Sequence, residues 1–390
     1  MMRVVYSLAA ILAAFSDSTA TGQSSHIRVG VWNIEALSAT AKRGFPELQG
    51  SSALPPRSSE DLKAIADYLK DEVEADALMV TEIEADGDES TDSRPQSAQL
   101  NEICEHLGSN WRYFLGHTGG KMRLGFLFNE DRVRLKKLVN LEAEPFNVSG
   151  KDVFDRDPFI VWFDVIEEEE PHSDVLLICL HLKSQQKPFR HNRMAAIAKL
   201  LGDVTDKNVR QALGLPSLTE EKEVFILGDC NDASHQESGF KYMFDYLNGV
   251  GFSHLRPSSG PYPRTRFNGS QIDHIFASSQ AISSIAPDSF KVHTVPNTDE
   301  ENDAYRKTFS DHFPVTVDLV AAPDEDVTLD EALAITDDSE RAVRLGALSD
   351  EIRERIELSE LSEDKDNEPI VVKAEVYDDN FDRILAPRRQ

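Results

Sequence analysis

Six short stretches of the chain set ionisable or amide side chains against the ends of strand-forming apolar runs. In order they are Trp32-Asn33-Ile34-Glu35, Thr81-Glu82-Ile83-Glu84, His181-Leu182-Lys183-Ser184, Gly228-Asp229-Cys230-Asn231-Asp232, Gln271-Ile272-Asp273-His274-Ile275 and Ser310-Asp311-His312. One such junction only closes a turn. Six of them, mixing carboxylates, amides and imidazoles with almost no alternative nucleophile, form the donor set of a hard-cation site with acid–base partners. Glu35 and Glu82 are oxygen ligands suited to magnesium, which keeps several waters and needs one or two carboxylates. His312, beside Asp311, can polarise a group or neutralise charge, and Asp229, positioned with help from Asn231, can hold an attacking water. Together this is equipment for hydrolysing a phosphate ester without a covalent intermediate.

The elements that must carry these residues are legible in outline. Val224 to Leu227 is an apolar run that reads as a buried strand, and Gly228 lets the backbone turn before Asp229. Ile27 to Ile34 alternates into Asn33 and Glu35, and Ala77 to Val80 runs straight into Glu82. Between them, Gly44 to Ser59 is a Pro-, Gly- and Ser-rich loop, and Glu60 to Val73 has helical apolar spacing with Ser58 or Ser59 as its cap. After the acidic loop Ala85 to Pro95, Ala98 to Leu107 is predicted helical. Tyr113 to His117, Leu124 to Asn129, Phe159 to Val165 and Val175 to Leu182 follow as strands of a mostly antiparallel run. Helices are expected over Asn192 to Leu201 and Phe240 to Asn248, and strands over Ile272 to Ala277 and Phe313 to Val320.

With 390 residues, 40% of them apolar, the chain can bury a large core. Its formal charge of −28 repels polyanions, so a nucleic acid or other phosphorylated substrate must be held by local basic groups and divalent cations. Arg3, the apolar run Val4 to Phe15 and Ser18-Thr19-Ala20 read as an export signal over residues 1–20. That run is too short to span a bilayer, and no other stretch is long enough, so a secreted or periplasmic protein without an integral membrane segment is expected. Cys104, Cys179 and Cys230 are scattered, fitting neither a zinc site nor a disulfide framework.

The ordered set of six motifs resembles the endonuclease/exonuclease/phosphatase superfamily over residues 27–320. The resemblance implies an α/β fold of two mixed β-sheets packed as a sandwich flanked by helices (DNase I-like), with the site at one end. It also implies a metal-dependent phosphoric ester hydrolase using Mg2+, with Mn2+ or Ca2+ as alternatives. Carried over by position, Glu82 matches the principal metal ligand, and Asn33 and Glu35 the amide and acid beside it. His181 and Asn231 match phosphate contacts, Asp229 the residue that orients or deprotonates water, Asp273 a support for a histidine, and Asp311 and His312 the carboxylate–histidine pair that closes the site. Thr81, Cys230 and Glu35 depart from the residues common at their positions without removing a required charge.

Blander readings stand beside these. Asn33 also suits the cap of a strand end, Glu84 a surface acid, and His274 a packing neighbour of Asp273, while His106 and His254 read as structural. Lys183, Arg190 and Arg193 are phosphate contacts or part of a solvated loop, and Thr265 and Arg266 are placed to face a substrate. Residues 321–390 hold 21 acidic against 9 basic residues, a net −12, and read as an acidic accessory region. Leu329 to Ile335 and Ser339 to Leu358 have helical spacing there, and Pro369 to Tyr377 alternates like a strand. Two functional classes remain: a secreted phosphodiesterase, foremost a nuclease with phosphomonoesterase and sphingomyelinase-like variants, or a binding module that lost catalysis. Every charged residue catalysis would need is retained, which favours the enzyme; oligomeric state is not legible.

Overall fold

The computed structural model describes residues 26–39, 54–86, 95–119, 122–142, 147–148, 151–152, 154, 156–167, 170–182, 223–231, 244, 247–249, 251–320 and 373–376. Two mixed sheets dominate them. The first contains β1 (His26–Leu37), β2 (Ala77–Ile83), β3 (Trp111–Leu115), β4 (Arg123–Asn129), β13 (Lys291–Val292) and β14 (Val315–Val320), in the order β13-β14-β1-β2-β4-β3. The second contains β5 (Val133–Glu142), β8 (Phe159–Glu167), β9 (Glu170–His181), β10 (Val224–Asp229), β11 (Phe252–His254), β12 (Asp273–Ser278) and β15 (Lys373–Val376), in the order β11-β12-β10-β9-β8-β5-β15. A separate two-stranded ribbon pairs β6 (Asn147–Val148) with β7 (Lys151–Asp152).

The sheets pack face to face through alternate residues. Ile27, Val29 and Val31 of β1, Met79 of β2, Phe126 and Phe128 of β4, and Val315 and Val317 of β14 meet Phe159, Val161 and Phe163 of β8, Leu177 of β9, and Phe225 and Leu227 of β10. On the outer face of the first sheet, Trp32, Ile34, Leu78 and Val80 are covered by α1 (Ser59–Tyr68) and α2 (Ala98–Leu107) through Leu62, Ile65, Leu100 and Ile103. Both faces of β1 and β2 are therefore buried, so their sequences are nearly continuous apolar runs. The expected sandwich flanked by helices is present.

Several boundaries differ from expectation. Ser58 caps α1 through a reciprocal bond with Asp61, and the predicted helix to Val73 finishes as a widened π-turn over Leu69–Val73. β5 was not expected, because Arg134, Lys136 and Lys137 interrupt its alternation and the ladder is irregular between Leu135 and Lys137. α3 (Asp299–Thr308) buries only Asn302 and Tyr305, leaving no apolar stripe to read. β11 and β13 are too short to carry a period. The expected strand within Pro369 to Tyr377 is found as β15, paired antiparallel with Val139–Glu142, so part of the acidic C-terminal stretch borders the second sheet. The export signal, the helix over Asn192 to Leu201 and the helices over 329–358 lie outside the described residues, as does most of Phe240 to Asn248. No helix among the described residues is long and apolar enough to cross a membrane.

Candidate active site

Strand register gathers the site. Asp229 is cross-strand neighbour to His181 on the parallel β9 and to Asp273 on the antiparallel β12, so three polar residues share one row at the end of the second sheet. Gly228 makes this row possible, since a Cβ there would stand 1.8 Å from the Leu180 carbonyl oxygen, and its φ of +156° suits glycine. In the first sheet Asn33 pairs with Thr81, the last regular pair of β1 and β2 before a bulge near their ends. Of six non-glycine residues with left-handed φ among those described, Glu35, Ala36, Glu82 and Asn231 all lie here. Such strain persists where surrounding structure fixes it, and it concentrates at working sites.

Asn33 joins the two sheets. Its Nδ2 donates to Glu82 Oε1 at 3.0 Å and to Asp229 Oδ2 at 3.0 Å, while its Oδ1 accepts from the Glu35 amide. The Ala36 N–H donates to Glu82 Oε2 at 3.1 Å, and the Asn231 N–H to Asp229 Oδ1 at 2.8 Å. The Asn231 side chain donates to the Leu182 carbonyl. His181 Nε2 lies 3.6 Å from Asp229 Oδ2 and 3.9 Å from Glu82 Oε1. Burial, then Arg156 and His312, holds the His181 pKa well below the ordinary imidazole value, so the ring is neutral.

His312 stands on the other side of Asp229, its Nε2 3.9 Å from Asp229 Oδ2. Of the two acids the sequence set near this ring, Asp273, given as a support for a histidine, is the one that binds it, and the pairing with Asp311 is corrected. His312 Nδ1 shares a 2.8 Å hydrogen bond with Asp273 Oδ2, whereas Asp311 Oδ1 is 3.8 Å from Nε2. The Arg266 guanidinium binds Asp311 Oδ2 through Nε, at 2.9 Å, and Nη2. Asp273 wins because β12 delivers it in register, its N–H and that of Ile272 both donating to the buried Thr265 hydroxyl. Burial alone would lower the His312 pKa, but Asp273, Asp311 and Asp229 raise it to about 10, so the ring is cationic. Burial and then the Asp273 charge lift Asp229 to about 7, against His312 and the Asn33 hydrogen bond.

Glu35 is buried beside this group. Arg306 of α3 binds its Oε1 through Nε at 3.0 Å and Nη2 at 2.6 Å, leaving Oε2 buried without a hydrogen-bond partner. Burial and then Asp311 raise the Glu35 pKa, against Arg306. The Arg57 guanidinium fixes the turn by donating to the Ile34 and Glu35 carbonyls. An unpartnered carboxylate oxygen among all-oxygen donors fits a divalent cation at Glu82, Glu35 and Asn33. Asp229, Asp273 and His312 also present ligand atoms within 4.8 Å of one another, but Nδ1 of His312 is already engaged by Asp273.

Nine of the eleven residues expected at the site are therefore brought together, if Asp311 is counted as an ion pair of Arg266 rather than the support of His312. Lys183 and Arg190 lie outside the described residues. Glu84, read as a surface acid, is half-buried and accepts from the Ser38 hydroxyl, and His274, read as a packing neighbour of Asp273, packs in an aromatic cluster with His254, Tyr262 and Phe244. Arg57, Arg156 and Arg306 were missed. Arg156 sits just before β8 starts at Phe159, and a search for cations at strand starts as well as acids at strand ends would have found it.

A search among curated proteins gives no match. Among solved structures, an endonuclease/exonuclease/phosphatase family protein from Bacteroides thetaiotaomicron is 17% identical, with a TM-score of 0.44 over 77% of this chain and 100% of that one. A mannosyl-6-phosphatase from the same organism is 16% identical, with a TM-score of 0.44 over 75% and 98%. D. rerio TDP2 complexed with single strand DNA product is 13% identical, with a TM-score of 0.47 over 76% and 99%. The model of the Endonuclease/Exonuclease/phosphatase family matches residues 30–312, from β1 to the last residue of the site. The chain belongs to that family and is a divalent-metal-dependent phosphoester hydrolase.

Proposed function

We propose that the chain is an exported, magnesium-dependent phosphodiesterase that cleaves nucleic acids by direct attack of water. The observation that carries the hydrolytic mechanism is the Asp229 carboxylate set between two imidazoles in different charge states, neutral His181 at 3.6 Å and cationic His312 at 3.9 Å. Asp229, ionised, takes a proton from a water as its oxygen bonds to phosphorus and the bond to the leaving oxygen breaks. His312, pinned through Nδ1 by Asp273, directs its Nε2–H to the charge that develops and supplies the proton the leaving oxygen needs. His181 and Asn231 orient the phosphoryl oxygens. Glu82, with Glu35 and Asn33, would hold the cation, which when bound polarises the phosphoryl group as a Lewis acid.

In this reading residues 1–20 are an export signal, 27–320 the catalytic domain and 321–390 an accessory region, and the protein acts in the periplasm or outside the cell. Nucleic acid is favoured over a lipid interface because Ile282 is the one exposed large hydrophobic side chain among the described residues. Cations also line the site: Arg266 is 31% exposed beside Asp311, and the charge of Arg156 reaches His181. The purified mature protein, with magnesium or calcium, is to be given DNA, RNA, sphingomyelin and a phosphomonoester panel. Cleavage of DNA or RNA well above the rest is expected; preferential turnover of sphingomyelin or of monoesters would reject the nuclease reading.

A further inference from the structure

Arg266 and Phe267 follow the buried Thr265 and lie against the segment that carries Asp311 and His312. Arg266 bridges to His312 across the backbone, the Phe267 N–H donates to the Asp311 carbonyl at 2.9 Å, and the Phe313 N–H donates to the Thr265 carbonyl at 2.8 Å. The Phe267 ring has two guanidinium groups over it, Arg266 at 5.9 Å and Arg306 at 5.2 Å from its centroid. Each is tethered by a different acid of the site, Arg266 to Asp311 and Arg306 to Glu35. These tethers fix Arg266 one carboxylate away from the reacting end of His312, because Asp311 places Oδ2 on the guanidinium and Oδ1 3.8 Å from His312 Nε2. The Arg266 side chain keeps 31% of its surface open. The carboxylate engages Nε and Nη2, so one edge of the fork is spent inward, and a planar guanidinium so held is preorganised to offer its remaining edge to an anion.

We propose that Arg266, backed by Phe267 and Arg306, is the anchor for a second phosphate of the substrate, the one next to the phosphate being cleaved. The chemistry recognised is a phosphate oxyanion at a fixed distance from the scissile group, either the neighbouring diester of an oligonucleotide or a terminal phosphate on a nucleotide. A single-phosphate ester leaves this edge unused. The proposal rests on the phosphoester reading of the site, and it names what a nucleic acid offers there that a phospholipid or a simple monoester does not.

The test is competitive inhibition of bis(p-nitrophenyl) phosphate hydrolysis, with magnesium, by thymidine 3′,5′-bisphosphate and by thymidine 5′-monophosphate. In the unaltered protein the second phosphate should tighten inhibition by about tenfold, the lower end of what a hydrogen bond to a charged group contributes. Arg266→Gln should erase that advantage, and Arg266→Lys, which keeps a point charge without the fork, should restore part of it. On a single-stranded oligonucleotide Arg266→Gln should also flatten the plot of log kcat/KM against log salt by about 0.7, the share of one phosphate contact. No advantage for the bisphosphate in the unaltered protein overturns the proposal. So does an equal loss on both inhibitors with an unchanged salt slope, which would make Arg266 only a positioning residue for Asp311. A bisphosphate preference in a protein that does not cut DNA or RNA would sink the nuclease reading and leave the anchor standing.

Discussion

Replacing Asp273 by Asn removes the charge behind His312 while keeping the shape of the side chain, and the structure says how the pH–rate profile must respond. The His312 pKa rises from 6.5 to about 10, a preference for the imidazolium of about 5 kcal/mol at 1.36 kcal/mol per pH unit. Three carboxylates produce it, but Asp273 is the largest contributor and the one in hydrogen-bond contact, at 2.8 Å against 3.8 Å for Asp311 and 3.9 Å for Asp229. Asp273→Asn should therefore move the alkaline limb of kcat/KM down by about two pH units, within the one to three that a close opposite charge is worth. The acid limb should move down too, because after burial the Asp273 charge is what raises Asp229 to about 7. The sign is the same for both groups: loss of a neighbouring negative charge makes each release its proton at lower pH. The whole bell slides towards acid, and the maximum falls by about 10²- to 10⁴-fold as the positioned acid is lost. Asp311→Asn should shift the alkaline limb less and leave the acid limb in place, since Arg266 already balances Asp311. The assay is hydrolysis of a small diester from pH 5 to about 11 at saturating magnesium. An unmoved alkaline limb in Asp273→Asn, or a larger move in Asp311→Asn, would show that Asp311 governs His312 after all.

Magnesium should raise the Tm of the unaltered protein, and Glu82→Gln should abolish that rise and lower activity by orders of magnitude while keeping a cooperative melt; a rise retained in the variant would place the cation elsewhere. Chelator should silence the unaltered protein and added magnesium restore it. Gly228→Ala forces a Cβ against the Leu180 carbonyl and should cost about 1–3 kcal/mol in urea unfolding, with activity falling as Asp229 leaves the His181 row; unchanged stability would contradict the close approach of β9 and β10. A chain ending at Val320 should keep its fold and its activity on a small diester, since the described core and site precede that residue, but losing β15 bares the β5 edge and should promote self-association in light scattering.

Most of the site could be read because its residues follow continuous apolar strands. β1, β2 and β10 announce themselves by composition, and Asn33, Glu82 and Asp229 are simply what comes next. The partner of His312 was legible only through the family resemblance, which gave Asp273 as a support for a histidine, and not from spacing, which pointed to Asp311. Asp311 is its chain neighbour, yet a residue adjacent in sequence points elsewhere on an extended backbone, and the hydrogen bond goes to Asp273, 39 positions away. The arginines escaped for a related reason. Arg306 lies on α3, a helix so polar that no period marks it, and Arg57 lies in a segment that composition alone shows as loop. What the sequence hides is which acid each base meets, a property of sheet register rather than of spacing.

That hidden pairing decides how the charges divide. Asp229, Asp273, Asp311, Glu35 and Glu82 converge at one end of the sandwich, where like charges so close repel one another unless cations answer them. Arg266 answers Asp311, Arg306 answers one oxygen of Glu35, and the imidazolium of His312 answers Asp273. Among the described residues Glu82 receives the neutral Asn33 amide and Ala36 N–H as its hydrogen-bond donors, and Glu35 keeps an oxygen without one. Leaving a buried carboxylate oxygen unsatisfied costs about 1–3 kcal/mol or more, and the left-handed backbone at Glu35, Ala36 and Glu82 adds strain of similar size. Turning the Glu35 side chain outward would relieve the first of these costs. That the chain holds both acids inward, with the protein's own cations assigned to the other acids, supports the proposal that a divalent cation completes the balance at Glu82 and the open edge of Glu35.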